Sequence, residues 1–374
     1  MQYSIDDLVR LAKRDNNNIR PYLYVNPIQG KHIPANPEDT MIMCQTLAKI
    51  VNMAYPSERL FVIGFAETAT GIASGVCHYL DNAVFYQNTT REYKEREGCL
   101  HFTESHSHAT DQMLRTTGVE HCIGNVDRIV FMDDEVTTGN TIFKLASILQ
   151  DKYKVSGIKY SIVSILNSMG KDRIKQLRDE GIECVFLSAI PFEYKKESMM
   201  NISYEKDRDT LSMAGETIGI VCTEFDTKVN VRSAILFEDY EKENDRFACE
   251  IKRHISDEHY NDLLVLGTEE CMYPAIRLGE ILWRDGVADA VKVHATTRSP
   301  IIASGEGGYP LSHRYRLRSV YDKTRDTYVY NLSKYNKVIV VTDTADIAEG
   351  MNDLILALRS AGNRNILVSR WNYS

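Results

Sequence analysis

The chain has 374 residues, and 43% of them are hydrophobic, so it is long enough for two or three domains with substantial cores. Its formal net charge of −8 argues against a general nucleic-acid binder but allows a local basic pocket for a phosphate group. Eight cysteines occur singly without a Cys-x-x-Cys pair, and there is neither an apolar signal stretch nor an apolar run of membrane-spanning length. These features predict a cytoplasmic protein with reduced thiols.

In chain order, a segment that mixes turn, aromatic and basic residues (20–34) precedes a regular alternation of helices and strands. The patterns predict a helix around Met41 to Tyr55, helices after Thr70 and Thr141, and strands near 60–64, 83–87, 128–132, 159–166 and 184–188. This alternation is typical of an α/β fold with a mainly parallel sheet and right-handed crossovers. Such a sheet binds ligands at the carboxyl ends of its strands.

The most informative segment runs from Arg128 to Thr141. An apolar run delivers two adjacent carboxylates, Asp133 and Asp134, to the end of a strand, and Thr137-Thr138-Gly139-Asn140-Thr141 then opens an amphipathic helix. Small and hydroxylated residues leave backbone N–H groups available for a phosphate, and the helix N-terminus adds its positive dipole end. The acids can accept hydrogen bonds from ribose hydroxyls. The segment therefore predicts a phosphorylated sugar; the sequence has no triphosphate P-loop.

The second half of the chain repeats the first. Residues 60–67 parallel 263–270, 83–91 parallel 290–298, and 130–134 parallel 339–343. The offsets are 203 (267 − 64), 207 (298 − 91) and 209 (343 − 134) residues, a drift that loop insertions would produce. Chance hardly makes three such matches in order, so we predict a second α/β unit.

The block from Val130 to Thr141 resembles the phosphoribosyl-pyrophosphate (PRPP) loop of type I phosphoribosyltransferases, in the orotate-phosphoribosyltransferase-like branch. With Thr297-Arg298-Ser299-Pro300, nearly the whole chain resembles the two-part proteins of tellurite-resistance-type stress operons, which join a phosphoribosyltransferase domain to a TRSP domain named after this motif. The residues alone leave open an ordinary strand-turn-helix with two capping carboxylates.

The resemblance implies a parallel-sheet type I phosphoribosyltransferase fold, followed by a second, diverged phosphoribosyltransferase-like α/β domain. We predict a transferase domain over 1–200, a polar linker region over 201–232 and the TRSP domain over 233–374. The second unit has Thr342 where the first has Asp133, and Ala345-Asp346-Ile347-Ala348 replaces its hydroxyl-rich turn. We therefore expect this unit not to bind PRPP in the usual way. It could be a lid, a pseudo-dimer partner or a second substrate site, and a homodimer stays possible.

The implied reaction is the Mg²⁺-dependent transfer of a 5-phosphoribosyl group from PRPP to a nucleobase-like acceptor, or its reverse, in the synthesis of a nucleoside-like metabolite linked to stress. The rival functions are a non-catalytic PRPP or nucleotide sensor and a scaffold. The implied catalytic residues are Asp133, Asp134, Arg91, His106 and His108. The 5-phosphate would bind Thr137, Thr138, Gly139, Asn140 and Thr141, and the pyrophosphate would bind Gly64, Thr68, Thr70 and Gly71, in a turn that often has unusual peptide geometry. Asp133 and Asp134 would also meet the metal.

Three further groups of residues have more than one interpretation. Tyr24, Lys31 and His32 are candidates for acceptor binding in the hood over the nucleobase, with a surface strand-turn as the alternative. Thr297, Arg298 and Ser299 suggest an anion site in the second unit, and our hypothesis is that Arg298 reaches a cleft shared with the first. The interval from Cys99 to Cys122 contains enough cysteine and histidine for zinc, but its spacing matches no standard zinc motif.

Overall fold

A computed structural model of the chain describes residues 3–15, 20–92, 98–102, 112–154, 156–190, 202–208, 220–255, 258–344 and 348–373. The chain divides into two compact units. The first unit contains Met1–Ile5, Ile42–Phe192 and Val229–Glu243, and the second contains Asp6–Met41, Glu193–Lys228 and Asn244–Ser374. Among the described residues, no helix is both long enough and apolar enough to cross a membrane.

The described strands are β1 (Arg10–Lys13), β2 (Tyr22–Val25), β3 (Leu60–Gly64), β4 (Ala83–Asn88), β5 (Cys99–Phe102), β6 (Gln112–Arg115), β7 (Arg128–Val136), β8 (Lys159–Asn167), β9 (Ile182–Ala189), β10 (Val221–Thr227), β11 (Ile235–Leu236), β12 (Tyr260–Gly267), β13 (Ala288–Ala295), β14 (Arg314–Arg318), β15 (Asp326–Tyr330), β16 (Lys337–Thr342) and β17 (Ile366–Tyr373). The described helices are α1 (Ile5–Leu8), α2 (Pro37–Ala54), α3 (Ala69–Cys77), α4 (Val119–Ile123), α5 (Asn140–Tyr153), α6 (Lys171–Asp179), α7 (Phe237–Ile255), α8 (Tyr273–Arg284) and α9 (Ala348–Ser360).

The first unit is built on a sheet in the order β11-β4-β3-β7-β8-β9. In this sheet, β4, β3, β7, β8 and β9 are parallel, and only the short β11 runs antiparallel to its neighbour β4. All five residues of β3 are buried, as are the first five of β7, because helices cover a parallel sheet on both faces and its central strands need apolar side chains throughout. The predicted strands and helices of this half are confirmed.

The second unit contains a parallel sheet in the order β10-β17-β16-β12-β13. In this sheet, β13, β12, β16 and β17 occupy the positions that β4, β3, β7 and β8 occupy in the first unit. The strand beside β17 is β10, which precedes the other strands of its sheet in sequence. The strand beside β8 is β9, which follows the other parallel strands of its sheet. The predicted second α/β unit is confirmed.

The repeat predicted from the sequence is a structural repeat. The backbone at the end of β3 in the first unit and at the end of β12 in the second forms the same three hydrogen bonds to neighbouring residues. In the first unit these are Phe65 N–H to Met132 O (2.9 Å), Ala66 N–H to Thr89 Oγ1 (2.8 Å) and Thr89 N–H to Gly64 O (2.9 Å). In the second they are Thr268 N–H to Val341 O (3.1 Å), Glu269 N–H to Thr296 Oγ1 (3.0 Å) and Thr296 N–H to Gly267 O (3.0 Å). The paired residues lie at the offsets found in the sequence.

The segments that border each sheet come from distant parts of the chain. In the second unit, Ala35 pairs with Val293 of β13. In the first unit, β11 pairs with Tyr86 and Phe85 of β4. The segment before α2 therefore belongs to the second compact unit, and the segment before α7 belongs to the first. The domain division at 200 and 232 stays a prediction, and the compact units are cut differently from it.

Candidate active site

The two adjacent carboxylates lie within β7 rather than after it. The strand continues to Val136, beyond the predicted end near Met132, because β8 continues beside it as far as Asn167. Asp133 and Asp134 are half-buried, and the backbone N–H of Asp134 donates to Oδ1 of Asp133 over 2.9 Å. That bond orients the Asp133 carboxylate at the end of the strand.

The turn after β7 places a glycine directly before α5. Gly139 has a φ of +69°, and its carbonyl accepts from Phe143 N–H over 2.9 Å, the start of the helical hydrogen bonds. A Cβ at this position would lie 3.2 Å from Leu177 and 3.3 Å from the sulfur of Met169. Both the backbone conformation and the packing therefore favour glycine here. Thr137, Thr138 and Thr141 are half-buried, and Asn140 is exposed.

An arginine that was not among the predicted site residues supports this turn. Arg173 of α6 donates from Nε to the carbonyl of Thr138 (2.9 Å) and from Nη2 to Oδ1 of Asn140 (2.8 Å). It places a positive charge at the loop predicted to bind phosphate. Its position in an exposed, highly charged helix gave no sequence signal.

The turn after β3 contains the peptide bond between Ala66 and Glu67, which is cis. This is the unusual peptide geometry that the resemblance implied for the stretch. Gly64 is needed for packing, because a Cβ there would lie 2.7 Å from Cβ of Ala73 and 2.8 Å from Oδ1 of Asn88. The Thr70 hydroxyl donates to the carbonyl of Glu67 over 3.1 Å. Thr70 and Gly71 are buried within α3, and Thr68 is half-buried.

Arg91 lies three residues after the end of β4, and hydrogen bonds fix the two residues before it, Thr89 and Thr90. Thr90 pairs with Met113 through two backbone hydrogen bonds of 2.9 Å. Arg232, which is 8% exposed, donates from Nε to Oγ1 of Thr90 over 3.2 Å. Gln112 accepts from the Thr89 hydroxyl over 3.0 Å. Arg232 was not among the predicted site residues, because it lies at the end of the predicted linker region.

Three of the predicted groups share one edge of the sheet. Strands β4, β3 and β7 are neighbours and parallel, and Gly64 lies opposite both Asn88 and Met132. Their carboxyl ends therefore bring Arg91, the 64–71 turn and the Asp133–Asp134 pair to the same edge. His106 and His108 lie outside the described residues, so their predicted catalytic role stays a prediction.

The residues predicted to bind the acceptor belong to the second compact unit. Lys31 is fully buried and donates from Nζ to the carbonyl of Glu269 over 2.8 Å. The ring of His32 lies 6.3 Å from that of Tyr330, and Tyr24 packs at 5.4 Å from Tyr22. They do not lie in the compact unit that contains Asp133 and Asp134. Their role toward an acceptor stays a prediction.

The TRSP motif is held by hydrogen bonds within its own unit. Thr297 pairs with Tyr328 through backbone bonds of 2.8 and 2.7 Å, and its hydroxyl accepts from Ser299 N–H over 3.2 Å. Arg298 donates from Nε to Oε2 of Glu269 over 2.9 Å. The carbonyl of Ser299 accepts from the Tyr330 hydroxyl over 2.7 Å.

The donor set of the site suits magnesium better than zinc. Within the part of the chain that the structure describes, no three His, Cys, Asp or Glu residues are grouped to hold a metal. Magnesium is commonly held by one or two carboxylates together with substrate phosphates and water, and Asp133 and Asp134 provide such a pair. Burial raises the pKa of the Cys122 thiol to about 12, so this thiol is protonated at neutral pH when no metal is bound.

Comparison with solved structures gives several phosphoribosyltransferases. Adenine phosphoribosyltransferase from Rhodothermus marinus is 14% identical, with 50% of this chain and 96% of that chain covered and a TM-score of 0.34. The enzyme from Trypanosoma brucei, in complex with AMP, pyrophosphate and ribose-5-phosphate, is 14% identical, with 53% and 86% covered and a TM-score of 0.36. Orotate phosphoribosyltransferase from Aeropyrum pernix is 14% identical, with 48% and 87% covered and a TM-score of 0.29.

No curated protein matches the sequence. Two sequence families do match it. Residues 8–190 match the family described as "Phosphoribosyl transferase", and residues 235–358 match the family described as "TRSP domain C terminus to PRTase_2". The chain therefore carries a phosphoribosyltransferase domain and, C-terminal to it, a TRSP domain.

Proposed function

We propose that the first unit transfers a 5-phosphoribosyl group from PRPP to a nitrogenous acceptor with release of pyrophosphate, or catalyses the reverse reaction. The order of features along β7 supports this most strongly: two half-buried carboxylates, then the left-handed Gly139, then the N-terminus of α5. A sugar phosphate fits this order. Its phosphate can meet the helix N-terminus, while its ribose hydroxyls donate hydrogen bonds to the acids.

The reaction needs opposite charges on the two sides of the ribose. As pyrophosphate leaves, positive charge develops on the sugar ring, and Asp133 and Asp134 are placed to stabilise it if the 5-phosphate lies at Thr137–Thr141. Arg91, at the end of β4, is proposed to bind the departing pyrophosphate together with the 64–71 turn. Holding both groups on one sheet edge fixes the distance between leaving group and sugar.

Magnesium is part of this proposal. Mg²⁺ bound with PRPP would neutralise charge on the pyrophosphate, and Asp133 and Asp134 are the residues proposed to meet it. His106 or His108 is proposed to move a proton at the acceptor or to hold pyrophosphate. The resemblance to stress-operon proteins extends the proposal to synthesis of a nucleoside-like metabolite.

Calorimetric titration of PRPP with Mg²⁺ into the full chain tests the proposal. We expect one site, which is lost in the Asp133→Asn/Asp134→Asn double variant. The matched control is Asp343→Asn, which makes the same change at the position in the second unit that corresponds to Asp134. This control should bind PRPP as the unsubstituted chain does.

A second step separates catalysis from sensing. Candidate nucleobases are added with PRPP and Mg²⁺, and pyrophosphate release is measured. Release that depends on an acceptor supports the transferase, whereas PRPP binding without release from any base would favour a sensor. If PRPP does not bind to the unsubstituted chain even with candidate acceptors present, the proposal is wrong.

A further inference from the structure

The end of β12 in the second unit carries a fully buried carboxylate, Glu269. Its Oε2 accepts from Nε of Arg298 over 2.9 Å and from Nη2 of Arg325 over 2.7 Å. Its Oε1 accepts from the Ser319 hydroxyl over 2.5 Å. Two guanidinium groups and a hydroxyl therefore converge on one carboxylate. Glu269 corresponds to Ala66 of the first unit, which has no acid at this position.

The groups that bind Glu269 come from positions that correspond to the proposed active site of the first unit. Arg298 corresponds to Arg91. Ser319 and Arg325 lie between β14 and β15, the hairpin that corresponds to β5 and β6. The hairpin turn is thus fastened to the end of β12 through the Glu269 carboxylate.

The same turn has a second attachment nearby. Tyr321 donates its hydroxyl to Oδ1 of Asp343 and lies 3.0 Å from the carbonyl of Thr268. Asp343 corresponds to Asp134 and also accepts from the Tyr373 hydroxyl over 2.9 Å. The chain's own acids thus hold the hairpin turn at both attachments.

Glu269 also has an unusual backbone conformation. Its φ is +44°, in the left-handed region that costs a residue with a side chain about 1–2 kcal/mol. Contacts of the side chain must offset this cost, and those contacts are the bonds to Arg298, Arg325 and Ser319. The buried Lys31 adds a third cation, since its Nζ donates to the Glu269 carbonyl.

We propose that the second unit contains an anion site of the pyrophosphate class, built from Arg298, Arg325 and Ser319, and that the Glu269 carboxylate occupies it. Guanidinium forks and hydroxyls bind phosphate and carboxylate oxygens with the same geometry, so an internal carboxylate can take the place of a phosphate group. The TRSP motif then has a structural role: it holds Arg298 against Glu269. This inference does not depend on turnover by the first unit.

Glu269→Gly tests the inference, because glycine removes the carboxylate and adopts a φ of +44° without strain. Both tryptophans, Trp283 and Trp371, lie in the second unit, so tryptophan fluorescence follows the unfolding of that unit in the full chain. We expect inorganic pyrophosphate at saturating concentration to raise the Tm of this transition by about 5 °C in Glu269→Gly. The unsubstituted chain should show no such increase. Calorimetry should find one more pyrophosphate site per chain in the variant.

Two further variants make the outcome decisive. Glu280→Gln removes another acid of the same unit, which pairs with Arg277, and should gain no site. Glu269→Gly/Arg325→Ala should lose the gained site. A Glu269→Gly protein that is folded by circular dichroism but shows neither the Tm increase nor the extra site would overturn the inference. So would a gained site that survives Arg325→Ala. If Glu269→Gly does not fold, Glu269→Asn carries the same test, because asparagine also removes the carboxylate and tolerates the left-handed region.

Discussion

The two units build the same frame of strands and hydrogen bonds but treat charge at the strand ends in opposite ways. In the first unit, Asp133 and Asp134 are half-buried acids beside the turn that is proposed to bind phosphate. In the second, Glu269 is fully buried and bonded to arginines of its own unit, and Asp343 is bonded to two tyrosines. The comparison shows that one frame of strands can carry half-buried acids at its strand ends in one unit and acids bonded to side chains of the same unit in the other.

The turns that follow β3 in the first unit and β12 in the second also differ. The first unit turns the chain through the cis peptide between Ala66 and Glu67, whereas the second does so through the left-handed Glu269. Both turns keep the same hydrogen bond, to Thr89 in one unit and to Thr296 in the other. The shared bond preserves the frame around two different local conformations.

The two units also differ at the amino ends of β7 and β16, at the opposite edge of each sheet from the turns described above. Arg128 begins β7 with only 2% of its surface exposed, donates to Glu58 over 2.6 Å and lies 3.8 Å from the ring centre of Tyr55. Its counterpart Lys337 donates to the neutral Asn365 over 2.7 Å, and burial lowers its pKa. The first unit therefore has a buried ion pair where the second has a buried amine bonded to an amide.

The largest expected effect tests this difference. Arg128→Met should destabilise the first unit by about 3 kcal/mol, because it leaves the Glu58 carboxylate with Lys159 as its remaining charged partner. Lys337→Met should change the second unit by less than about 1 kcal/mol, because no buried charge loses its partner. Hydrogen exchange of peptides that cover β7 measures the first effect, and urea unfolding followed by tryptophan fluorescence measures the second. Equal losses of stability in Arg128→Met and Lys337→Met would contradict this difference between the two units.

The next effect concerns Arg91 and Arg298, which occupy corresponding positions. Arg91→Ala should weaken PRPP binding about 100-fold, or about 2.7 kcal/mol, if Arg91 binds pyrophosphate. Arg298→Ala should leave the affinity for PRPP within about twofold, because its described bonds reach Glu269 of its own unit. Calorimetry of the two variants measures both values. A comparable loss in Arg298→Ala would instead support the shared-cleft hypothesis drawn from the sequence.

Much of the frame could be predicted from the sequence because it depends on local patterns. Strand β3 and the first half of β7 contain continuous apolar runs, and β8 is mostly apolar. The offsets of 203, 207 and 209 residues matched the corresponding residues of the two units correctly. The end of β7 was placed too early because Asp133, Asp134 and Glu135 are polar. Pairing with β8 carries the strand through them to Val136.

The contacts of the two sites could not be predicted, because they join residues far apart in sequence. Arg232 reaches Thr90 across 142 residues, and Lys31 reaches Glu269 across 238. Periodicity and motif spacing describe neighbours along the chain and contain no signal for such contacts. For the same reason, the sequence did not reveal that residues 6–41 belong to the second compact unit.

The smallest of these effects comes from acidification of the second unit. His294 is buried, and its Nε2–H donates to the carbonyl of Tyr330 over 2.8 Å. Its counterpart Gln87 donates to the carbonyl of Arg115, the residue that corresponds to Tyr330, over 2.8 Å. The two side chains make the same bond in the two units, but only the histidine can titrate.

Burial, together with the charge of nearby Lys31, lowers the pKa of His294 from 6.5 to about 4. Between these two pH values the unfolded chain binds a proton that the folded chain does not, so the second unit loses stability as the pH falls. Between pH 7 and pH 5 the loss from this group should be about 2 kcal/mol. In His294→Gln that contribution should vanish, while the contributions of carboxylates remain in both proteins. Urea unfolding at the two pH values, followed by tryptophan fluorescence, measures the difference. If both proteins lose the same stability, His294 is not the titrating group.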